Sequence, residues 1–179
     1  MVIYRKDVPL MTTLSPPEAV ALDQYERRIL IALQEDGRLT NQDLAAQVGL
    51  SPSACWRRVK ALEDAGVILR YTALLDPAKV GIGETVFAHV SMERHSKLPT
   101  AEFAELMRQR PEVMECFFTT GAADIILRVV TPSVGAYTEF LENVIFEAHG
   151  ISQVHSDFAL RRIKYETALP LAFQPAKRP

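Results

Sequence analysis

The chain has 179 residues, 48% of them apolar, and a formal net charge of −2. That length supports one or two domains with substantial cores, and the near-neutral balance excludes a generally basic nucleic-acid binder, so any attraction to a polyanion must be local. No apolar run reaches bilayer-spanning length and the opening MVIYRKDVPLMTTLSPPEA has no continuous signal-peptide core, so the expectation is a soluble, cytoplasmic protein whose two cysteines, Cys55 and Cys116, are reduced and buried.

Residues 1–21 carry Pro9, Pro16 and Pro17 and read as a flexible extension. A first helix then follows, with Asp23 and Glu26 at its start, Tyr25, Ile29, Ala32 and Leu33 on one face, and a stop at Asp36-Gly37. Thr40 can cap a second helix whose Leu44, Ala45 and Val48 form an apolar stripe closed by Gly49. A third opens with Ser51 as N-cap and Pro52 at its first position, where a missing N–H costs nothing. Within it Cys55, Val59 and Leu62 recur at helical spacing and should face the core, while Ser53, Ala54, Arg57 and Lys60 fall on the opposite side. Two short helices joined by a Gly-containing turn make a helix-turn-helix, and an outer face that is small at its start and cationic further on suits a major groove. A charged stripe is also, and more often, simply a solvated face. The following run, Val67 to Leu75, is rich in strand formers and adds a wing, completing a module over residues 22–76. From Ser51 to Tyr71 the cations Arg57, Arg58, Lys60 and Arg70 outnumber Glu63 and Asp64, so this surface is locally positive.

Pro77 and the glycines at 81 and 83 mark a hinge at residues 77–83, and a second domain spans 84–171, followed by a Pro-bearing tail at 172–179. Its expected elements are a strand from Glu84 to Met92, a helix from Thr100 to Arg110 with Phe103, Leu106 and Met107 on the sheet, strands from Val113 to Thr120 and Asp124 to Thr131, a helix from Ser133 to Ala148 with Tyr137, Leu141, Val144 and Ala148 aligned, and a strand from Ile151 to Ile163. This βαββαβ order is that of a ferredoxin-like α/β sandwich, so the fold class is α+β. In the two middle strands both alternating sets are partly apolar: Val113 and Phe117 oppose Met114, Cys116 and Phe118, and Ile126 and Val130 oppose Ile125, Leu127 and Val129. A sheet wet on one side alternates more cleanly, which implies a second copy on the helix-free face.

The runs LSPSACWRRVKALEDAGVILRYTALLDPAKVG, TTGAADIILRVVTPSVGAYTEFLENVI and RRIKYETALPL resemble the Lrp/AsnC family, the leucine-responsive or feast/famine transcriptional regulators, over residues 22–171. The resemblance implies a DNA-binding domain, with Ser51, Ser53, Ala54, Trp56, Arg57, Arg58 and Lys60 toward double-stranded DNA; Arg58 lies nearer the helix flank, and Trp56 can pack against the DNA backbone or a neighbouring helix. It implies further that Thr120, Gly121, Ala122, Ala123 and Asp124 match the family's Gly-x-x-Asp turn, at a pocket between dimers that senses free amino acids, with Ser133 and Val134 as a looser match. Octamers are common in the family. On the residues alone, a Gly in a strand connection is usually conformational and an Asp after it usually caps the turn; alternatively the loop offers backbone N–H groups to a carboxylate, and Asp124 pairs with an α-ammonium or orients the loop.

An enzyme is not expected: the chain has no Gly-rich phosphate loop, no Gly-x-Ser-x-Gly elbow and no cofactor motif, and His89, His95, His149 and His155 lack metal-ligand spacing. The competing reading is an amino-acid-binding module that controls a metabolic enzyme, with the helix-turn-helix as a protein-interaction surface. Outward Arg57 and Lys60 argue against it.

Overall fold

Capping side chains set the N-terminal helices. In the computed structural model, which describes residues 20–93 and 100–171, α1 spans Gln24–Glu35, α2 Asn41–Val48 and α3 Pro52–Asp64. Asp23 and Glu26 form a reciprocal capping box on α1, Thr40 accepts from the N–H of Asp43, and Ser51 accepts from that of Ala54. Gly49 closes α2 at φ 75° and Gly66 lies just beyond α3 at φ 70°, left-handed conformations that a Cβ disfavours. Asn41 donates to the carbonyl of Pro52 at 2.9 Å, tying the starts of α2 and α3 together. Ile29, Leu30, Leu44, Ala45, Val48, Cys55 and Leu62 form the core of this unit, and Leu171 from the far end of the chain packs against it.

The expected wing strand does not form. Residues 67–75 carry no regular structure, because a strand exists only against a ladder partner and no described segment forms a ladder with this one. Val67 and Ile68 instead close α3, both donating to the carbonyl of Leu62, and Tyr71 folds back over Gly37, whose Cβ would meet its ring at 3.5 Å.

The second unit holds β1 (Glu84–Met92), α4 (Thr100–Arg108), β2 (Val113–Phe118), β3 (Ile125–Thr131), α5 (Val134–Phe140) and β4 (Ile151–Phe158). The sheet is antiparallel in the order β2-β3-β1-β4, as the βαββαβ reading requires. Val86, Ala88 and Val90 of β1 and Ile125, Leu127 and Val129 of β3 point to the helix side, where they meet Phe103, Met107, Tyr137, Phe140, Val144 and Ile145.

Two boundaries and one strand alternation differ from expectation for identifiable reasons. After Phe140 the second helix winds as a π-turn over Leu141–Ile145, with Phe146 N–H reaching the carbonyl of Leu141; the extra residue turns Val144 and Ile145 inward together and leaves Ala148 outside the helix. β4 stops at Phe158 because its one neighbour, β1, begins at Glu84, and the last bond between them runs from Ala159 to Thr85. A bulge between Val113 and Glu115 puts Val113 and Cys116 on the same side of β2, so the simple alternation expected there is interrupted.

The helix-free face carries Phe87, Phe117, Ile126 and Val130, with Phe87 38% and Phe117 54% exposed. Among them sit an Arg128–Glu115 ion pair at 2.9 Å and Asp157, whose two oxygens each lie 3.3 Å from an imidazole, of His89 and of His155.

The chain falls into two units that divide at Ala73/Leu74, and residues 165–171 return to the first, where Leu169 exchanges hydrogen bonds with the Gln34 side chain. The expectations of a flexible N-terminal extension, apart from residues 20 and 21, and of a tail beyond Leu171 fall outside the described residues, as does His95.

Candidate nucleic-acid interface and effector turn

The face of α3 turned away from the Cys55–Leu62 core presents Ser53, Arg57 and Lys60, all exposed. Ser51 and Ser53 share a hydroxyl contact at 3.3 Å at the start of the helix, and Ala54 lies beside them, half-buried. Arg57 makes no ion pair among the described residues. Lys60 pairs with Asp64 one turn on at 2.8 Å, an exposed contact; its hydrogen bond to Asp64 holds its pKa above the ordinary value. Such an exposed pair yields readily to a phosphate, since it contributes little in water. This face therefore offers one unengaged guanidinium and one easily released ammonium.

Trp56 lies on the flank, 59% exposed. With Leu33, Leu44, Val59 and Tyr71 it borders an open pocket of about 220 Å³. Burial, reinforced by the carboxylate of Glu63 that accepts its hydroxyl at 3.2 Å, pushes the pKa of Tyr71 up to about 12.

Arg58 lies on the other flank and is engaged within the unit: its Nη1 is 2.5 Å from Asp23 Oδ2 and 3.5 Å from Glu26 Oε1, and its guanidinium stands 5.5 Å from the centre of the Tyr25 ring. An ion pair spanning 35 positions leaves no local signal in a sequence, although both capping carboxylates were legible by spacing.

The turn between β2 and β3 is held by its backbone. Thr119 N–H donates to Asp124 O at 2.9 Å, Asp124 N–H to Val90 O at 3.1 Å, and the Thr119 hydroxyl to Ala123 O at 2.5 Å. One carboxylate oxygen of Asp124, Oδ2, accepts the N–H of Met92 at 2.7 Å, which ties the turn to the end of β1; the residue is exposed, and its other oxygen has no donor among the described residues. Thr120, Gly121 and Ala122 are exposed and Ala123 is half-buried. Gly121 is not at positive φ, and a Cβ built there meets nothing within 4 Å. The expectation that conformation demands glycine here is thus not met: neither backbone strain nor packing within the chain requires it, and what its hydrogen leaves open is approach from outside.

Ser133 caps α5, accepting from Ala136 N–H at 3.2 Å, and Val134 is 54% exposed. These two stand at the opposite end of β3 from Asp124, separated by seven strand residues, a span of about 20 Å at ordinary strand rise. One chain does not bring them to the turn. Among the described residues no group of three or more His, Cys, Asp or Glu side chains could hold a metal ion, and no helix is long and apolar enough to cross a membrane.

Two family models match the chain: a winged helix-turn-helix DNA-binding domain over residues 22–68 and an Lrp/AsnC ligand-binding domain over residues 85–169. The DNA-binding transcriptional activator DecR of Escherichia coli K12 is 37% identical over 150 residues, 84% of this chain and 99% of its own. The Bkd operon transcriptional regulator of Pseudomonas aeruginosa is 41% identical over 150 residues, 84% of this chain and 98% of its own. A solved structure, the transcriptional regulator NMB0573 of Neisseria meningitidis in complex with L-methionine, superposes with a TM-score of 0.79 at 42% identity over 84% of this chain and 97% of that one. These relatives are regulators of transcription and not enzymes.

Proposed function

The chain belongs to the Lrp/AsnC family of DNA-binding transcriptional regulators with an effector-binding domain, and from that membership we propose that it controls genes of amino-acid metabolism by reading specific operators through α3 and sensing an amino acid at the turn of residues 120–124. The observation that carries the DNA half is Arg57, exposed and unengaged on the outer face of a capped helix in a chain of net charge −2. Ser53 and Ala54 let that helix approach the groove closely, while Arg57 and Lys60 reach phosphates or guanine edges, with Ser51 and Trp56 at the margins. Such local charge gives modest affinity per copy, and pairing of copies supplies the rest through avidity.

The effector half rests on the open approach to Gly121 and on the unengaged oxygen of Asp124. The turn takes the carboxylate of the ligand on backbone N–H groups, with the Thr120 hydroxyl beside them, and Asp124 takes the α-ammonium. Ser133 and Val134 join such a pocket only from a neighbouring copy, which supports a site formed between subunits. The methionine bound by the Neisseria relative makes L-methionine the first ligand to test. A homodimer closed through the helix-free sheet face, assembling further into an octamer, presents paired reading helices to a palindromic site in cytoplasmic DNA, and the effector acts by binding one arrangement of dimers better than another.

The deciding experiment is a gel shift on operator DNA with Arg57→Ala, which weakens binding and leaves the dimer intact; unchanged affinity sinks the placement of α3. For the turn, Asp124→Ala retains DNA binding but loses the response to effector, and calorimetry showing undiminished effector affinity in that variant refutes the pocket. A thermal-shift screen over amino acids and their breakdown products identifies the ligand, because binding to the native state raises the melting temperature.

A further inference from the structure

Arg58 follows directly on Arg57 in α3, yet its surroundings assign it a different task. Each of the two carboxylates at the start of α1 divides its oxygens. Asp23 gives Oδ1 to the N–H groups of Tyr25 and Glu26, both at 2.8 Å, and Oδ2 to Arg58 at 2.5 Å. Glu26 gives Oε2 to the N–H of Asp23 at 2.8 Å and turns Oε1 toward Arg58 at 3.5 Å. The capping box thus completes α1 with half of its acceptors and grips α3 with the other half. The ring of Tyr25 stands 5.5 Å from the guanidinium, within reach of a cation–π contact. All three charged side chains are about one-quarter to one-third exposed, so water screens them less than it does the Lys60–Asp64 pair.

We propose that Arg58 is a positioning residue for DNA reading: it holds α3 at a set rotation against the start of α1, and so aims Arg57 and Ser53, without itself touching nucleic acid. One guanidinium nitrogen, Nη1, set between two carboxylates is constrained in direction as well as distance, whereas the core contacts of Cys55 and Leu62 are apolar and non-directional. A DNA phosphate would have to replace two carboxylates already in place. The inference rests on the reading that α3 enters the duplex, and it separates Arg58 from Arg57 and Lys60 as a charge that binding does not recruit.

The test uses the full chain and a duplex selected by the parent protein from a random-sequence pool, with a scrambled duplex as the non-specific reference, at a temperature where each variant is fully folded by circular dichroism. Asp23→Asn keeps the side-chain oxygen that caps α1 and removes the charge facing Arg58; Arg58→Ala removes the other partner. Each is expected to bind the selected duplex roughly tenfold more weakly, the scale of losing one charge-assisted contact, to lose discrimination against the scrambled duplex, and to keep the parental slope of log affinity against log salt. If Arg58→Ala does not fold, Asp23→Asn decides alone. A slope shallower by about one in Arg58→Ala marks a lost phosphate contact and overturns the proposal. Parental or tighter binding by Asp23→Asn overturns it too, since a released guanidinium then helps rather than hinders. An unchanged ratio of selected to scrambled affinity in folded variants reduces Arg58 to a stabilising contact and equally overturns it. Arg57→Ala, run alongside, keeps the two readings apart: if it binds as the parent does, the placement of α3 is at fault and not the role of Arg58.

Discussion

The outer face of α3 and the turn between β2 and β3, the two proposed recognition sites, are built in opposite ways. On α3 the chemistry lies in side chains: Arg57 is unengaged, Lys60 is only loosely held by Asp64, and the backbone beneath them is consumed by helical bonds and by the Ser51 cap. In the turn the side chains are small, and the carboxylate of Asp124 spends one oxygen on Met92 N–H; what remains open is backbone at Gly121. On the function proposed above, a long polyanion would be met by cationic side chains on a helix, and a small zwitterion by amide groups on a braced loop. Substitutions should therefore act on α3 through charge and at the turn through shape.

Core changes bound this contrast from above. Leu127→Ala, at a site with no exposure, should lower stability by about 2–5 kcal/mol in chemical denaturation, and DNA and effector binding by the variant that remains folded should both survive; loss of one alone would tie that function to the core and blur the division. Next in size, Arg57→Ala should weaken operator binding by about 1–3 kcal/mol with a melting temperature close to that of the parent. Thr40→Ala removes the α2 cap and should cost about 1 kcal/mol of stability while barely moving operator affinity in folded protein, since Thr40 lies outside the reading face. Smallest in stability and most telling is Gly121→Ala: with nothing within 4 Å of the added Cβ, stability should stay within about 0.5 kcal/mol of the parent, yet effector binding in calorimetry should fall sharply because the methyl group occupies the approach. Retained effector affinity there would mean that the ligand does not come to the backbone at this turn.

The pH response sharpens the same contrast on the α1 side. Burial raises the pKa of Asp23, but the N–H of Glu26 and the guanidinium of Arg58 outweigh it, and the net result lies below 3.8. A depressed carboxyl contributes stability that is present above its unfolded value, about 3.9, and is lost as pH falls through the lower folded value. Asp23→Asn should flatten the stability profile below about pH 4 and leave it unchanged in shape near neutrality, as read by denaturant midpoints across that range.

Much of the architecture was legible because its causes are local. Thr40, Ser51, Pro52 and the capping box announce their helices within a few positions, and the alternation of Val86, Ala88 and Val90 matches the observed β1 from Glu84 to Met92. What escaped depends on distant partners. The run after Val67 has strand-forming residues but no described segment to pair with, and β4 could not continue to Ile163 once β1 had ended. The π-turn at Leu141 shifted the inward face by one residue, which no periodicity of 3.6 anticipates. At the candidate sites, spacing identified the outward positions of α3 and the resemblance to the family pointed to the Asp124 turn, and the strand expected between Asp124 and Thr131 already set Ser133 and Val134 apart from Gly121, but nothing local could reveal that Arg58 is claimed by Asp23.

The most direct test of the claim that the outer face of α3 enters a double helix is operator affinity measured across a salt series for the parent and for Arg57→Ala/Lys60→Ala. The parent should show a steep negative slope of log affinity against log salt, and the double variant should bind more weakly with a slope shallower by about one or two. Equal affinity and equal slope in the two proteins would place the DNA contact elsewhere and contradict the account.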